Sequence, residues 1–341
     1  MPCVINNIST GKPAPLMVGP INTTPLRSTN KIPRHVIEAA QAIPAEDFDA
    51  KKHVNFEFPK RTYTMQDWGY ENQGISPIAG SDPFLLFTEA AAKQVRRELL
   101  SDDILKTCQY TSTFTRNQIR GQAPFAHALW KSPEVQNAVS AVAGIDLIHA
   151  FEYEIGHVNL FFSDGEDDKD AKTNLGFSWH YDSFPFVCVT MLSDCSDMKG
   201  DETAILKGDG EILKVSGPTI GTTVVLQGRY IKHAALKAIG KERISFITAF
   251  RPKSPFVRDE LVLTGARPIS NQSELLYDYC TYRADIIEVR FREHARQLRM
   301  KQASGIKFDP EAVREFIQEQ KDMLDATLLE MIPIYDVVEA E

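Results

Sequence analysis

The sequence predicts a mainly β fold with added helices: a jelly-roll barrel of the double-stranded β-helix type, buttressed by N-terminal and C-terminal helices. Short β-branched and aromatic segments separated by turn residues run from about 148 to 255, as in jelly rolls. Before and after that range, apolar residues recur at helical spacing. A length of 341 residues accommodates one enlarged barrel with such additions.

These patterns divide the chain into four segments, which we expect to form one compact unit. Residues 1–30 are rich in Pro, Thr, Asn and Ser and are predicted to be an extended arm. Residues 31–147 are predicted to be a helical buttress, residues 148–255 the barrel core, and residues 256–341 a helical region packed on the core.

Three predicted helices begin with residues whose side chains can cap the helix N-terminus. Residues 132–134 (Ser-Pro-Glu) combine a capping oxygen, a ring that pre-sets φ and a carboxylate at the positive end of the dipole, and Gly144 marks the stop. Asn271, followed by Glu274, resembles a capping box, and Asp309 before a proline starts the last helix. These C-terminal helices either buttress the barrel or form a homodimer surface.

Composition excludes several classes of partner. The formal net charge is -8, from 38 basic and 46 acidic residues, so the sequence has no excess of positive charge that would favour binding to nucleic acid or to an anionic membrane. The five cysteines are scattered, without a Cys-x-x-Cys pair, as in a reduced intracellular protein. Without a signal-like N-terminus or a membrane-length apolar run, we expect a cytoplasmic protein acting on a small molecule.

A candidate metal site begins with His180 and Asp182. Residues two apart on an extended strand point to the same side, so both side chains can reach one ion. His233 lies 51 residues after Asp182, enough chain for several short strands before the sheet returns. Two imidazoles and one carboxylate form the facial triad of non-heme Fe(II) oxygenases, which leaves coordination positions open for co-substrate and oxygen.

A candidate carboxylate clamp follows ten residues after His233. Arg243 and Ser245 share one face of a strand, and a guanidinium with a hydroxyl suits a single carboxylate. A metal site beside such a clamp predicts a chelating acid as ligand.

In order and spacing, these residues resemble the Fe(II)/2-oxoglutarate-dependent dioxygenases, over roughly Tyr153 to Pro252. The resemblance implies that His180, Asp182 and His233 hold Fe(II), that 2-oxoglutarate chelates the iron through its keto-acid end, and that O2 is the oxidant. Its far carboxylate would meet the clamp. The residues assigned to the 2-oxoglutarate site are Arg243, Ser245, Arg251 and Thr190. Arg251 is alternatively a substrate residue or an exposed charge at the strand end.

Three further residues are candidates for substrate binding. His157 and Asn159 lie in a predicted strand, and His157 falls outside the triad pattern, which favours hydrogen bonding over metal ligation. Arg116 could bind a substrate carboxylate, although a solvent-facing arginine is the commoner case.

The wider pattern looks like fungal members of this family that act in secondary metabolism. It includes Gly228-Arg229 before the distal histidine and Phe250-Arg251-Pro252 at the end of the last strand. A small amino acid such as valine is the suggested substrate, with hydroxylation, desaturation or oxidative cyclisation, for example aziridine formation, as outcomes. Two alternatives stay open: a cupin-like metalloenzyme that does not use 2-oxoglutarate, and a non-catalytic binding protein on the same barrel.

Overall fold

A computed structural model describes residues 12–17, 25–27, 32–110, 114–116, 122–161, 179–196, 202–215, 219–236, 242–336 and 338–339. Within these ranges the protein is a mixed α and β structure. Its two sheets consist almost entirely of antiparallel strand pairs.

The described helices form two groups along the chain, six between residues 34 and 143 and two after residue 271. They are α1 (Arg34–Gln41), α2 (Ala50–His53), α3 (Glu89–Leu99), α4 (Asp102–Cys108), α5 (Pro124–Lys131), α6 (Pro133–Ala143), α7 (Gln272–Ala303) and α8 (Pro310–Glu330). Ser132 caps α6 by accepting from Val135 N at 3.3 Å, and Gly144, at φ 68°, ends it. The side chains of Asn271 and Asp309 cap α7 and α8, so the three predicted helix starts are confirmed.

The strands form one large and one small sheet. In chain order they are β1 (Leu26–Arg27), β2 (Thr62–Thr64), β3 (Ile78–Ser81), β4 (Phe84–Leu85), β5 (Gln109–Tyr110), β6 (Phe114–Arg116), β7 (Leu147–His149), β8 (Ile155–Phe161), β9 (Phe186–Met191), β10 (Thr203–Leu206), β11 (Ile212–Val215), β12 (Thr222–Leu226), β13 (His233–Ala235), β14 (Arg243–Pro252) and β15 (Val338–Glu339). The large sheet runs β15-β1-β5-β6-β8-β14-β9-β12-β3-β2, with β4 on β12 and β7 on β14, and the small sheet runs β11-β10-β13.

The two sheets face each other across a cavity. One wall comes from the central strands β8, β14, β9 and β12 of the large sheet, and the opposite wall from β10, β11 and β13. Strand β14 lies between β8 and β9, and Ser245 sits opposite Asn159 on one side and Met191 on the other.

Residues 31–147 contribute strands as well as helices. Strands β3 and β4 pair with β12, and β6 pairs with β8, so the large sheet extends well before residue 148. These strands are two to four residues long, too short to show a period of two in the sequence. The prediction of a helical buttress for residues 31–147 therefore leaves out these strands. Within the predicted arm, residues 12–17 have no regular structure and Leu26–Arg27 form β1.

Helix α7 buttresses the barrel with its first half only. Leu275, Tyr279 and Tyr282 pack with Phe151 and Phe184 in an apolar cluster that is separate from the main hydrophobic core. Phe184 also lines the cavity. The second half of α7 and most of α8 are exposed. Among the described residues, no helix is both long and apolar enough to cross a membrane.

Candidate metal centre and its cavity

The three predicted metal ligands come together at one end of the cavity. His180 and His233 form a backbone bridge, with N–H···O distances of 2.9 and 3.0 Å, and the amide of Asp182 donates to Gly228 O at 2.9 Å. These backbone bonds bring the chain before β9 next to the start of β13. Backbone pairing therefore brings Asp182 and His233 close together in space, although they are far apart in the sequence.

The ligand atoms have the spacing that one ion requires. One nitrogen or oxygen from each of the three side chains lies within 4.8 Å of the others. His180 Nε2 is 3.7 Å from Asp182 Oδ1, and His233 Nε2 is 3.5 Å from Asp182 Oδ2. Two ligands at about 2.1 Å from a shared metal ion lie roughly 3 to 4 Å apart. The described side chains can therefore hold a metal ion with little movement.

His233 is oriented for ligation by its backbone environment. Its Nδ1 lies 3.0 Å from Ile231 O, and donation of the Nδ1 proton to that carbonyl leaves Nε2 unprotonated, with its lone pair free for a metal ion. Burial lowers the pKa of this imidazole, against an opposing effect of the Asp182 charge. Burial is the larger of the two effects and keeps a neutral ring, the form that binds a metal, available at neutral pH.

The environment of the Asp182 carboxylate favours a bound cation. Its Oδ2 is buried and has no hydrogen-bond partner among the described residues. A buried carboxylate oxygen without a partner destabilises the fold unless a positive charge lies next to it. A metal ion between this oxygen and the two imidazoles would do so, and the donor set of two nitrogens and one carboxylate suits Fe(II).

Gly228 makes room for that carboxylate. A Cβ on residue 228 would lie 1.8 Å from Asp182 Oδ2, which no real structure tolerates. The glycine that precedes the distal histidine in the sequence is therefore part of the metal site, although its role was not evident from the sequence.

The predicted carboxylate clamp also faces the cavity. Arg243 is 1% exposed and Ser245 is fully buried, and Arg243 Nη1 donates to Ser245 Oγ at 3.3 Å. Both line the cavity on β14, on the same face as Ile247 and Ala249. A buried guanidinium at the side of an apolar cavity is a strong site for an anion, because the local dielectric is low.

The cavity has a volume of about 500 Å³ and mostly apolar walls. This volume lies within the range of small-molecule sites. Its apolar lining consists of Val187, Val189 and Met191 on β9, Val224 and Leu226 on β12, Ile205 on β10, Val215 on β11, Ala235 on β13, and Phe184.

Two residues assigned to 2-oxoglutarate do not reach the cavity. Thr190 lies on the opposite face of β9, where its hydroxyl is 2.8 Å from that of Thr223, because Val189 and Met191 take the cavity side. Arg251 continues the parity of Arg243 but lies beyond the cavity at the strand end. Its Nε donates to Ala150 O at 2.8 Å, and its guanidinium lies over the ring of Tyr282. Arg251 is therefore half-buried rather than an exposed charge, and it does not line the cavity.

The substrate candidates divide in a similar way. His157 and Asn159 both line the cavity from β8, and His157 Nε2 lies 2.9 Å from Asn159 Oδ1. Arg116 is in β6, where its backbone pairs with His157. The side chain of Arg116 lies outside the described part of the structure.

Several cavity residues were not predicted from the sequence. Glu154, 3% exposed, lines the cavity from the 3-10 turn before β8. Met17 lines it from the N-terminal arm. Neither has a sequence signal, because Glu154 belongs to no motif and Met17 sits in an irregular, proline-rich segment.

The arm is held over the barrel by buried polar groups. Arg229 Nη1 donates to Pro15 O at 2.7 Å, and its Nε donates to Glu260 O at 2.8 Å. Glu260 Oε1 accepts from Ala14 N at 2.7 Å. These bonds fix the backbone just before Met17, so the arm forms part of the cavity wall.

Comparison with known proteins gives structural likenesses only. No protein-family model and no curated protein matches the chain. Similar solved structures include an oxidoreductase of the 2OG-Fe(II) oxygenase family from Burkholderia pseudomallei, with 14% identity, TM-score 0.30, and coverage of 38% of this chain and 55% of that one. A prolyl-4-hydroxylase from Pseudomonas putida has 20% identity, TM-score 0.25, and coverage of 36% and 61%. AviO1 from Streptomyces viridochromogenes has 12% identity, TM-score 0.35, and coverage of 52% and 90%.

The chain thus spans little more than half of the Burkholderia protein. At these identities and TM-scores, the functional assignment depends on the geometry of the site itself.

Proposed function

We propose that this protein is an Fe(II)- and 2-oxoglutarate-dependent oxygenase whose two facing sheets form a double-stranded β-helix. The observation that carries the proposal is the convergence of His180, Asp182 and His233 on one cavity that also contains the buried Arg243. A metal site alone suits many enzymes. A buried guanidinium in the same cavity specifies an anionic co-substrate, and 2-oxoglutarate has a chelating end for the metal and a free carboxylate for the arginine.

Each part of the chain has a defined task in this proposal. His180, Asp182 and His233 would hold the iron at the end of the cavity. Arg243 and Ser245 bind and orient the far carboxylate of 2-oxoglutarate. The apolar walls exclude water from the oxidation site. When bound, iron and 2-oxoglutarate together activate O2 to oxidise a C–H or N–H group of the substrate, with release of succinate and carbon dioxide.

The experiment is an anaerobic titration of the purified protein with Fe(II) and 2-oxoglutarate, followed by visible absorption. We expect the weak charge-transfer band of an iron-chelated keto acid. His180→Ala should abolish the band, because it removes a metal ligand. Arg243→Ala should retain iron binding but raise the 2-oxoglutarate requirement by about 100-fold or more, since a buried charge-assisted contact is lost.

The other outcomes separate the alternatives. Iron binding without the band, and indifference to Arg243→Ala, would favour a cupin-like metalloenzyme that does not use 2-oxoglutarate. Absence of any metal binding would favour a non-catalytic binding protein on the same barrel.

For the substrate, we propose a small amino acid such as valine, oxidised in secondary metabolism by hydroxylation, desaturation or cyclisation in the cytoplasm. The proposal is supported by the cavity volume of about 500 Å³ and by the polar side chains of Glu154, His157 and Asn159, which line the cavity in addition to the metal ligands and the clamp. Turnover of 2-oxoglutarate that is stimulated by amino acids, but not by larger peptides or terpenoids, supports it. Lack of stimulation by every amino acid contradicts it.

A further inference from the structure

Exposed apolar side chains are concentrated on the C-terminal helices. Of the sixteen large apolar side chains that are exposed in the described part of the chain, twelve lie between Tyr277 and Ile334. Solitary exposed apolar residues are ordinary, but a contiguous group marks an interaction site. The C-terminal helices α7 and α8 are therefore the candidate interaction surface of the described part of the chain.

One flank of α8 carries a continuous apolar stripe. Ile317, Leu324 and Leu328 of α8 and Met331, which ends the helix, are separated by seven, four and three residues, which places them within a narrow sector around the helix axis. Their exposed fractions are 46%, 47%, 67% and 39%. The buried residues of α8, such as Gln320 and Met323, lie on the neighbouring sector that faces α7.

Helix α7 widens this stripe into a face. Phe291, 41% exposed, contacts Phe316 with ring centroids 5.3 Å apart, next to Ile317. At the other end, the exposed Cys280 has its Sγ 3.7 Å from the sulfur of Met331. We define the apolar face as Cys280, Phe291, Ile317, Leu324, Leu328 and Met331.

Three members of the stripe, Ile317, Leu324 and Met331, are arranged symmetrically about Leu324. Ile317 and Met331 each lie seven residues from it, or about 10 Å along the axis at 1.5 Å per residue. A two-fold axis through this point would turn a second α8 antiparallel, with Leu324 opposite its own copy and Ile317 opposite Met331 of the second copy. Such self-complementarity is what an isologous interface requires. From it we infer that two copies of this chain associate through the apolar face, forming an antiparallel four-helix arrangement around Leu324.

The charges beside the stripe are also self-complementary. Lys321 and Asp325 follow the same edge of α8, three residues before and one residue after Leu324, and both are exposed. The same two-fold axis brings Lys321 within roughly 3 Å, along the axis, of Asp325 of the second copy. The symmetry makes this pair twice, at the rim of the contact, where opposite charges fix register.

The size of the face suits a second copy of this chain. A standard protein interface buries roughly 800 Å² on each partner. The five large apolar side chains of the face, together with the stems of Arg314, Gln318 and Lys321 beside them, provide an area of that order. A dimer would cover the stripe on both copies at once, leaving no part of it in water.

The first test is sedimentation of the purified protein across concentrations, which requires no knowledge of its activity. We expect a monomer–dimer equilibrium. Leu324→Asp should raise the dimer dissociation constant at least 30-fold, because it places two carboxylates at the centre of the contact, as for a hot-spot residue. The matched control is Leu329→Asp on the same helix. Leu329 is 79% exposed but lies about a quarter turn or more off the stripe, so the dissociation constant should stay the same.

A second pair of variants tests the symmetry itself. Lys321→Asp and Asp325→Lys should each weaken the dimer, and the double variant should restore it, since the opposite charges are again paired. In a background with Cys3→Ser and Cys280→Ser, Leu324→Cys should give a disulfide-linked dimer on mild oxidation, whereas Leu329→Cys should not. Circular dichroism melts confirm that each variant is folded.

Three results would overturn the inference. The first is a protein that stays monomeric up to high micromolar concentration. The second is a dimer that Leu324→Asp leaves intact. The third is a monomer whose apolar face binds phosphatidylcholine vesicles, which would make the occupant a lipid surface. None of these outcomes depends on the proposed oxygenase activity, which the iron and 2-oxoglutarate titration tests separately.

Discussion

A Cβ atom on Gly228 would lie 1.8 Å from Oδ2 of Asp182, the buried carboxylate oxygen that has no hydrogen-bond partner among the described residues. The backbone of Gly228 also accepts a hydrogen bond from the amide of Asp182 at 2.9 Å. One residue therefore both anchors the ligand's backbone and leaves space for its side chain. This makes Gly228 a positioning residue of the metal site.

We expect Gly228→Ala to lower iron affinity by 10- to 100-fold, the usual effect of removing an outer-shell support. The added methyl forces Asp182 away from His180 and His233, and isothermal titration with Fe(II) measures the change. The control is Gly210→Ala, where a Cβ meets nothing within 4 Å but φ is 89°. That variant should lose some stability and keep its iron affinity. Equal iron binding in both variants would refute the role of Gly228.

Ser245 and Thr190 provide a matched test of the 2-oxoglutarate site. Ser245 faces the cavity beside Arg243, whereas Thr190 is on the opposite face of β9 and bonds Thr223. We expect Ser245→Ala to weaken 2-oxoglutarate binding about 10-fold, since a hydrogen bond to a charged group is lost. Thr190→Val should leave binding unchanged and cost only stability. Anaerobic titration of the iron-loaded variants gives both affinities. The reverse pattern would return Thr190 to the site.

The metal triad and the clamp were predictable because each has a local signature. His180 with Asp182, and Arg243 with Ser245, are residue pairs of distinctive chemistry at a spacing of two. The structure places all four at the cavity. Spacing defines which residues share a face of a strand, and it holds along β14 for Arg243 and Ser245.

Residue spacing along a strand does not show which face of the strand points into the cavity. Strand β9 is apolar on both faces, so the sequence could not decide whether Thr190 or Val189 meets the cavity. Nor does parity show where a cavity ends, which is why Arg251, on the same side as Arg243, reaches Tyr282 instead. Met17 and Glu154 reach the site through tertiary contacts that no local pattern encodes.

Arg229 is expected to hold the N-terminal arm in place. It is 4% exposed and links Pro15 O to Glu260 O. Arg229→Gln should free the arm and speed chymotrypsin cleavage beside Leu16 and Met17 by tenfold or more, because cleavage follows the population of the open form. Mass spectrometry of the early fragments measures it. Arg290→Gln is the control.

Arg290 also donates to two backbone carbonyls, Pro255 O at 2.6 Å and Val257 O at 3.0 Å, and neither belongs to the arm. Cleavage of this control variant should stay slow. Equal cleavage rates in the two variants would show that Arg229 does not restrain the arm.

His149 should make the fold sensitive to mild acid. Burial is the main cause that lowers the pKa of its imidazole from 6.5 to about 4. The unfolded chain therefore binds a proton below pH 6.5 that the folded protein refuses until about pH 4, so stability is complete above pH 6.5 and falls as the pH drops through this window. At 1.36 kcal/mol per pH unit, the loss between pH 7 and pH 5 is roughly 2 kcal/mol.

His149→Gln, which cannot titrate, tests this assignment. The variant is expected to be less stable than the parent at pH 7, because the ring of His149 packs against Phe250 at a centroid distance of 5.2 Å. Toward pH 5 the difference in unfolding free energy should shrink by about 2 kcal/mol, as only the parent pays the protonation penalty. Urea unfolding at both pH values measures it. A difference that stays constant would assign the acid sensitivity to other groups, since His149 would then have the same proton affinity in the folded and unfolded chains.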